Sequence, residues 1–348
     1  MLRAVWILSL CACATPQVQQ ALPGRSSRTL LINGMPLSVT LNEPTLSQAA
    51  VDKLFMTLQK EATRIDNTFF ATGSLELINN QLAKGKGPVR IAPATGRMIA
   101  DAMRGYEITG GVFDPTVGPI VQAWIEMRGE QPAPSAIREA LTKVGSEKLI
   151  LSADYKSLRT QVAGMRLEPG GLRDGWVVKH IAGVLASRRL VNYLINFRGA
   201  CWYGSGVGPK EQPWRVLVND HKTQRAGFVS LSNQSLSVSV SLVPRPDGRP
   251  GRKGHIVDPR NGFLVSESRS VAAIAPSPLD AEILSTATVV LGSQAEYAVS
   301  RIDGGSVLVF YGESRKPLIM GVSPSFTQVQ SLDEGTYFKA ERAAYKRP

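Results

Sequence analysis

The sequence of 348 residues contains few residues that could cross-link the chain or bind a soft metal ion. It has three cysteines, and two of them, Cys11 and Cys13, lie within the first 14 residues, which leaves Cys201 as the internal thiol. One internal cysteine cannot form an intramolecular disulfide framework. The three histidines are scattered along the chain, which excludes a histidine-rich zinc cluster.

The chain also lacks the glycine-rich sequences that most often mark a nucleotide site. Neither Gly-x-Gly-x-x-Gly nor Gly-x-x-x-x-Gly-Lys-Ser/Thr occurs in it, so neither a Rossmann site nor a P-loop is supported. We find no repeat of fixed period, which gives no support to a solenoid or a propeller.

The chain has fewer acidic than basic residues. Lys plus Arg number 40 and Asp plus Glu number 28, which gives a formal net charge of +12. This charge attracts phosphates, nucleic acids and acidic membranes alike, and alone it favours a basic surface with no specific anionic partner. The densest basic cluster lacks interleaved aromatic residues, so we predict a solvated loop and no nucleic-acid partner. The cluster consists of Arg245, Arg249, Arg252 and Lys253.

Long apolar runs are absent, and the one at the N terminus is short. Arg3 precedes an apolar stretch at residues 4–10, which is too short for a transmembrane helix and is typical of an export signal over residues 1–14. Cleavage before Cys13 would leave a lipid on its sulfur and tether the protein to the inner or outer membrane, whereas cleavage after Ala14 would leave it free. Both cuts predict a periplasmic protein.

The remaining chain has the patterning of an α/β (α+β) protein, although its length alone allows one large domain or two. We assign residues 15–27 to a linker and residues 28–348 to the folded domain. Asn33-Gly34 between two apolar segments predicts a β-hairpin. Hydrophobic periodicity predicts helices over residues 47–67, 97–108, 135–144, 176–187 and 279–291, and strands over residues 190–197, 214–218, 227–231, 235–240 and 270–275.

Three local patterns could carry chemistry. Glu282 and Thr286 lie four residues apart on one helix face; such oxygen pairs suit Mg²⁺, but they are also common on solvated helix surfaces. The turn at residues 170–171 is Gly-Gly before a helix, where a pyrophosphate could rest or where two segments simply pack closely. His255 precedes a turn built on Asp258, and it could act as a general base or as a packed or capping residue.

Taken in order, several segments resemble the ApbE-like flavin transferases. The two specific ones are Phe-Asp-Pro-Thr-Val-Gly-Pro at residues 113–119 and His-Ile-x-Asp-Pro-x-x-Gly at residues 255–262. Ser74 with Asn80 resembles an early Ser-Glu-x-Ser-x-x-Asn element more loosely. The resemblance runs from about residue 30 to residue 310, and its other segments are Trp124 and residues 167–171, 213–216 and 284–287.

The resemblance implies a single ApbE-like unit in which mixed or antiparallel sheets are flanked by helices. It implies an enzyme, an FAD:protein FMN transferase, in which FAD is the substrate, Mg²⁺ binds its pyrophosphate, and FMN passes to a Ser or Thr of an acceptor flavoprotein. The residues implied to contact FAD are Ser74, Asp114, Thr116, Glu168, Gly170, Gly171 and Asp258. Those implied to hold the metal are Glu282, Thr286 and the backbone oxygen of Arg173, and His255 is implied to assist the acceptor hydroxyl.

The chain departs from the family's pattern at four places. Asp174 stands where the family has lysine, and Glu282 stands where it has aspartate. Residues 198–200 read Arg-Gly-Ala in place of Gly-Gly-Asp, and residues 238–241 read Val-Ser-Val-Ser in place of Thr-Ser-Gly-Asp. We expect Asp174 either to join the metal shell or to be compensated by the neighbouring Arg173. Two alternatives therefore stay open, a catalytically inactive FAD-binding relative and an FAD pyrophosphatase with water as acceptor.

Overall fold

A computed structural model of the protein describes residues 25–67, 74–85, 87–127, 130–219, 226–242, 254–311 and 318–321. The predicted export signal, the lipid site at Cys13 and the basic cluster at residues 245–253 lie outside these ranges. The first strand, β1 (Arg25–Ile32), begins inside the range assigned to the linker. Within the described ranges, no helix has the length and apolar character that crossing a bilayer requires.

The helices of five or more residues are spread along the whole described chain. They are α1 (Gln48–Asp66), α2 (Ser74–Leu82), α3 (Pro93–Ile108), α4 (Gly118–Glu126), α5 (Pro134–Thr142), α6 (Arg173–Ser187), α7 (Pro278–Leu291) and α8 (Glu296–Ser300).

The strands form three separate sheets. They are β1, β2 (Met35–Asn42), β3 (Val89–Arg90), β4 (Leu149–Leu151), β5 (Ser157–Thr160), β6 (Tyr193–Phe197), β7 (Cys201–Ser205), β8 (Trp214–Asn219), β9 (Ala226–Leu231), β10 (Gln234–Val240), β11 (Arg269–Ala275), β12 (Ser306–Tyr311) and β13 (Leu318–Gly321). The main sheet has the order β1-β2-β6-β7-β10-β11-β12-β13, and the smaller sheets are β3-β5-β4 and β8-β9. Every pair of these named strands is antiparallel.

The main sheet is covered on both faces, by different elements. Because side chains alternate along a strand, Val271 and Ala273 of β11 join the core formed with α6 and α7. Ala272 and Ile274 instead join a second core with Trp214 from the β8-β9 hairpin. The helices that carry the predicted site therefore lie on one face, and the small two-stranded sheet covers the other.

Local sequence explains how the first elements form. Asn33 and Gly34 both have positive φ (49° and 82°), as a two-residue hairpin turn requires, and β1 pairs with β2 in register from Ile32–Met35 outward. Ser47 then caps α1, since its side chain accepts a hydrogen bond from the Ala50 N–H.

Most of the predicted elements are present, with shifted ends. The hairpin, the five helices and the five strands all occur, but α3 begins at Pro93 and α6 at Arg173, each several residues before the predicted start. The sequence prediction missed the helices α2, α4 and α8 and the strands β3, β4, β5, β7, β12 and β13. These are short segments, for which periodicity is a weak signal.

Candidate functional site

The buried helix α7 brings Glu282 against the first turn of α6. Nearly every side of α7 is buried, and Pro278 begins the helix, as suits a helix start. The Glu282 carboxylate is buried and accepts hydrogen bonds from the backbone N–H groups of Asp174 (3.3 Å) and Gly175. A Cβ on Gly175 would lie 2.6 Å from Glu282 Oε2, so the glycine is what allows this approach.

The Gly170-Gly171 bend lies beside the same face of α7. A Cβ on Gly171 would lie 3.6 Å from Thr286 Oγ1 and 3.1 Å from the Phe113 ring. Gly170 itself is exposed. The structure thus brings together the bend, Glu282 and Thr286, the groups that the sequence predicts to meet at a metal and a diphosphate.

Two ion pairs flank the first turn of α6. The Arg173 guanidinium donates to the fully buried Asp66 at 2.8 and 2.9 Å, and Asn33 Nδ2 donates to the same carboxylate at 2.6 Å. Arg198, from the turn between β6 and β7, contacts Asp174 at 3.4 Å. Asp174 thus has its direct ion pair with Arg198, and the charge of Arg173, the residue that the sequence predicts to compensate it, also lowers its pKa.

Burial raises the pKa of both carboxyl groups at this turn. Desolvation is the largest cause for Glu282, and the neighbouring charge of Asp174 adds to it. Desolvation also raises the pKa of Asp174, against the opposing effect of Arg198. Buried beneath them, the Cys201 thiol has a raised pKa for the same reason, with smaller contributions from Glu282 and Asp174.

Asp114 organises the loop that precedes α4. Its Oδ1 accepts hydrogen bonds from the Thr116 N–H (2.8 Å), the Thr116 hydroxyl (2.7 Å) and the Ser146 hydroxyl (2.8 Å). Thr116 Oγ1 in turn accepts from the Gly145 N–H at 2.7 Å. Burial raises the pKa of Asp114 although these hydrogen bonds oppose the shift. Both predicted flavin contacts are thus buried loop anchors, and their contact with flavin stays a prediction.

Glu168 connects that loop to the glycine bend. Its N–H donates to the Pro115 carbonyl at 2.6 Å, its Oε1 accepts from the Gly170 N–H at 3.1 Å, and burial raises its pKa. Glu168 also lines an open groove between α2 and α4, beside Asn79 and Ile125.

Asn79 is a site-forming residue that the sequence did not single out. Its side chain donates to the Leu167 carbonyl at 3.0 Å and accepts from the Leu167 N–H at 2.7 Å. Asn80, which resembles the family's asparagine in sequence, is exposed instead. The side chain of Ser74 lies outside the described structure, so its contact with FAD stays a prediction.

His255 and Asp258 belong to one loop, with different surroundings. Asp258 is buried and holds the turn through Arg260, whose Nε and Nη2 donate to it at 2.9 and 2.8 Å. Trp124 Nε1 donates to the Gly262 carbonyl at 2.9 Å and fixes the loop to α4. His255 is exposed as a whole residue, but desolvation of its ring lowers its pKa. A hydrogen bond with the Ser241 backbone has the opposite, smaller effect.

The donor groups at α7 fit a hard divalent cation better than a soft one. Among the described residues, no group of three or more His, Cys, Asp and Glu side chains is arranged to hold a metal ion. Mg²⁺ is commonly held by one or two carboxylates together with waters and substrate phosphates. Glu282, the hydroxyl of Thr286 and a backbone oxygen offer that chemistry, and the buried Glu282 carboxylate is oriented by two backbone N–H groups.

Comparisons with known proteins agree with this geometry. Residues 34–309 match the ApbE family. The FAD:protein FMN transferase of Treponema pallidum (strain Nichols) is 28% identical over 298 residues, which cover 79% of this chain and 80% of that protein. The FAD:protein FMN transferase of Salmonella typhimurium is 27% identical over 241 residues, covering 66% of this chain and 69% of that protein.

Solved structures with a similar fold carry the same family name. The flavin transferase ApbE from Vibrio cholerae aligns with a TM-score of 0.70 and 19% identity, over 85% of this chain and 97% of that chain. The apo flavinyl transferase ApbE from Pseudomonas stutzeri aligns with a TM-score of 0.72 and 20% identity, over 87% and 95%. These likenesses confirm the predicted fold, a single unit with an antiparallel main sheet flanked by helices.

Proposed function

This chain belongs to the ApbE family, and we propose that it transfers FMN from FAD to a serine or threonine hydroxyl of an acceptor flavoprotein, with Mg²⁺ as the required metal. The curated relatives at 27% and 28% identity are named FAD:protein FMN transferases. The proposal therefore assigns to this chain the reaction that those names describe.

One observation supports the proposal most directly, the meeting of α7 with the first turn of α6. Glu282 contacts the backbone of Asp174 and Gly175, and Thr286 lies beside Gly171. In this proposal Glu282, Thr286 and the Arg173 carbonyl hold Mg²⁺, which when bound neutralises charge on the diphosphate. Ser74, Asp114, Thr116, Glu168, Gly170, Gly171 and Asp258 form the surroundings of FAD.

The remaining chemistry is proton transfer from the acceptor. The acceptor oxygen attacks the phosphorus of the FMN half, the bond to the AMP phosphate breaks, and AMP leaves with the displaced oxygen. His255 takes the hydroxyl proton. Because desolvation lowers the pKa of His255, its imidazole is neutral at neutral pH and has a lone pair for this proton.

The N-terminal residues support a location for this reaction. Residues 1–14 have the pattern of an export signal, so we propose that the protein acts in the periplasm. A lipid on Cys13 would tether it to the inner or outer membrane. Mass measurement of the mature N terminus separates this form from the free protein cut after Ala14.

The test is a transfer reaction with purified protein, FAD, Mg²⁺ and a panel of flavoprotein acceptors. We expect AMP release together with an acceptor mass increased by one FMN, and loss of both with EDTA. A variant acceptor whose target hydroxyl is replaced by alanine is the matched control. AMP release without an adduct would identify a pyrophosphatase that uses water, and FAD binding without AMP release would identify a non-catalytic relative; either result overturns the proposal.

A further inference from the structure

The first turn of α6 concentrates charged side chains from four parts of the fold. Two adjacent residues of α6, Arg173 and Asp174, have opposite charges and pair in different directions. Arg173 pairs with Asp66 at the end of α1, and Asp174 pairs with Arg198 in the turn between β6 and β7. Glu282 of α7 contacts the backbone of the same turn.

The two charges within each ion pair cancel, whereas Glu282 forms no ion pair among the described residues. Within the described part of the chain, the contacts of its carboxylate are backbone N–H groups, which carry no net charge. Asp174 is the second buried carboxylate at this turn. Without Arg198, the neighbouring carboxylates of Asp174 and Glu282 would lie at this turn with no arginine in contact with either.

The backbone at Arg198 supports a specific use of its side chain. Arg198 has φ = 59° and the following Gly199 has φ = 68°, a left-handed turn that glycine or asparagine forms at lower cost than arginine. The Arg198 side chain is only 22% exposed and Asp174 only 10%. An arginine in a strained, largely buried turn fits a role that depends on its charge.

We propose that the Asp174–Arg198 pair is a positioning element of the proposed site. Because Arg198 pairs with Asp174 and its charge also reaches Glu282, the two carboxylates share one arginine, so a divalent cation binds well only together with a diphosphate and poorly alone. A single carboxylate plus substrate phosphates is a common way for proteins to hold Mg²⁺. The inference rests on the proposed function, since it concerns the same site.

The test measures cation binding and nucleotide binding without any turnover. Mn²⁺, whose free form is quantified by electron paramagnetic resonance, stands in for Mg²⁺, and ADP supplies a diphosphate with no flavin to transfer. For the wild-type protein we expect saturating ADP to lower the Mn²⁺ Kd at least tenfold, with the reciprocal effect on ADP.

Charge variants separate the ion pair from a packing role. Arg198→Gln should bind Mn²⁺ alone at least threefold more tightly, because Asp174 is then uncompensated, and its gain from ADP should shrink at least threefold. Asp174→Asn/Arg198→Gln restores the net charge and should restore the wild-type coupling. Arg198→Lys keeps the charge and should behave as wild type. Arg189→Gln is the matched control, since Arg189 is an exposed arginine with φ = 62°.

The possible outcomes distinguish failure of this inference from failure of the proposed function. If Mn²⁺ and ADP both bind the wild type but independently, the inference is overturned and the proposed function stands. If Arg198→Gln matches wild type and Arg189→Gln in both measurements, the inference is overturned as well. If neither ligand binds, the proposed site fails with it. Should Arg198→Gln not fold, Asp174→Asn is the deciding variant, expected to bind ADP at least threefold more tightly and Mn²⁺ no more tightly.

Discussion

At the scale of single residues, Asp114 has two separable properties, its hydrogen bonds and its charge. One oxygen accepts from both groups of Thr116 and from Ser146. Burial raises the pKa of the carboxyl above its ordinary value of 3.8. The folded state therefore favours the protonated form, and stability from this group is fully present below the unfolded pKa and is lost as pH rises through the folded pKa.

We predict that Asp114→Asn keeps the acceptor oxygen and removes the charge. The melting temperature at pH 7 should equal or exceed that of the wild type, and the difference should vanish below pH 4. Asp114→Ala leaves the hydroxyls and the N–H without their acceptor and should lose on the order of 3 kcal/mol of stability. Thermal unfolding across pH checks both; an Asn variant as unstable as the Ala variant at pH 7 contradicts the assignment.

His255 gives a prediction for pH dependence of the reaction. Its pKa is lowered from 6.5, so kcat should be flat above about pH 6.5 and fall about tenfold per unit below the folded pKa, as the ring gains a proton. His255→Gln should lower kcat at least about 100-fold and abolish this acidic limb, with FAD affinity unchanged.

The matched control for His255 is another histidine with a lowered pKa. His180 on α6 bonds the Trp176 carbonyl through Nδ1 at 2.8 Å, and burial lowers its pKa too. His180→Gln should leave the pH profile of transfer as it is. A His255→Gln enzyme that keeps the acidic limb would remove His255 from the proton transfer.

At the scale of elements, local pattern predicted the pieces of the site but not how they are joined. Glu282 and Thr286 share a helix face because of their spacing, and the Asn33-Gly34 turn follows from residue type alone. Asn79 and Leu167 are 88 positions apart, and the sequence between them holds no signal of their pairing. Arg198 is similar, since its partner Asp174 is found only once α6 packs on the main sheet.

The end of α7 depends on one arginine of the neighbouring strand. Arg269 Nη1 donates to the carbonyls of Val289 (2.6 Å) and Val290 (2.9 Å), and its side chain is 12% exposed. A cation at a helix C terminus donates hydrogen bonds to carbonyls that have no partner in the helix, and it interacts favourably with the negative end of the helix dipole.

We predict that Arg269→Met lowers the free energy of unfolding by about 2 kcal/mol, since charged hydrogen bonds to buried carbonyls are lost. Arg269→Lys should recover part of this loss. Arg301→Met is the control, because Arg301 is exposed just after α8. Chemical denaturation measures all three, and equal stability of the Met variants at 269 and 301 would show that the cap contributes nothing.

At the scale of the whole molecule, the main sheet separates the site from a second core. Trp214 is 2% exposed in the core beneath β8-β9, and its Nε1 donates to the Ser205 carbonyl at 2.8 Å. Trp124, on the site side, instead holds the loop of residues 255–262. The strand alternation that creates two faces was visible in the sequence, but which elements cover each face was not, because that depends on the order of strands in the sheet.

We therefore predict different consequences of replacing Trp214 and Trp124 by alanine. Trp214→Ala should cost about 3–5 kcal/mol of stability and leave kcat and the FAD Kd unchanged at temperatures where the protein is folded. Trp124→Ala should cost less stability and lower kcat, because the loop that carries His255 loses its anchor. Parallel denaturation and transfer assays test this; a kcat loss in Trp214→Ala at full folding would contradict the separation.

The buried position of Cys201 has a consequence for observing the molecule in solution. Its thiol lies beneath Asp174 and Glu282 with a raised pKa, so it is nearly inert while the layers above it stay packed. Only a molecule in which α6 or α7 has lifted from the sheet exposes that sulfur to an alkylating reagent. The labelling rate of Cys201 thus reports how often α6 and α7 separate from the sheet beneath the proposed site, and a ligand that holds α6 against α7 should slow this labelling.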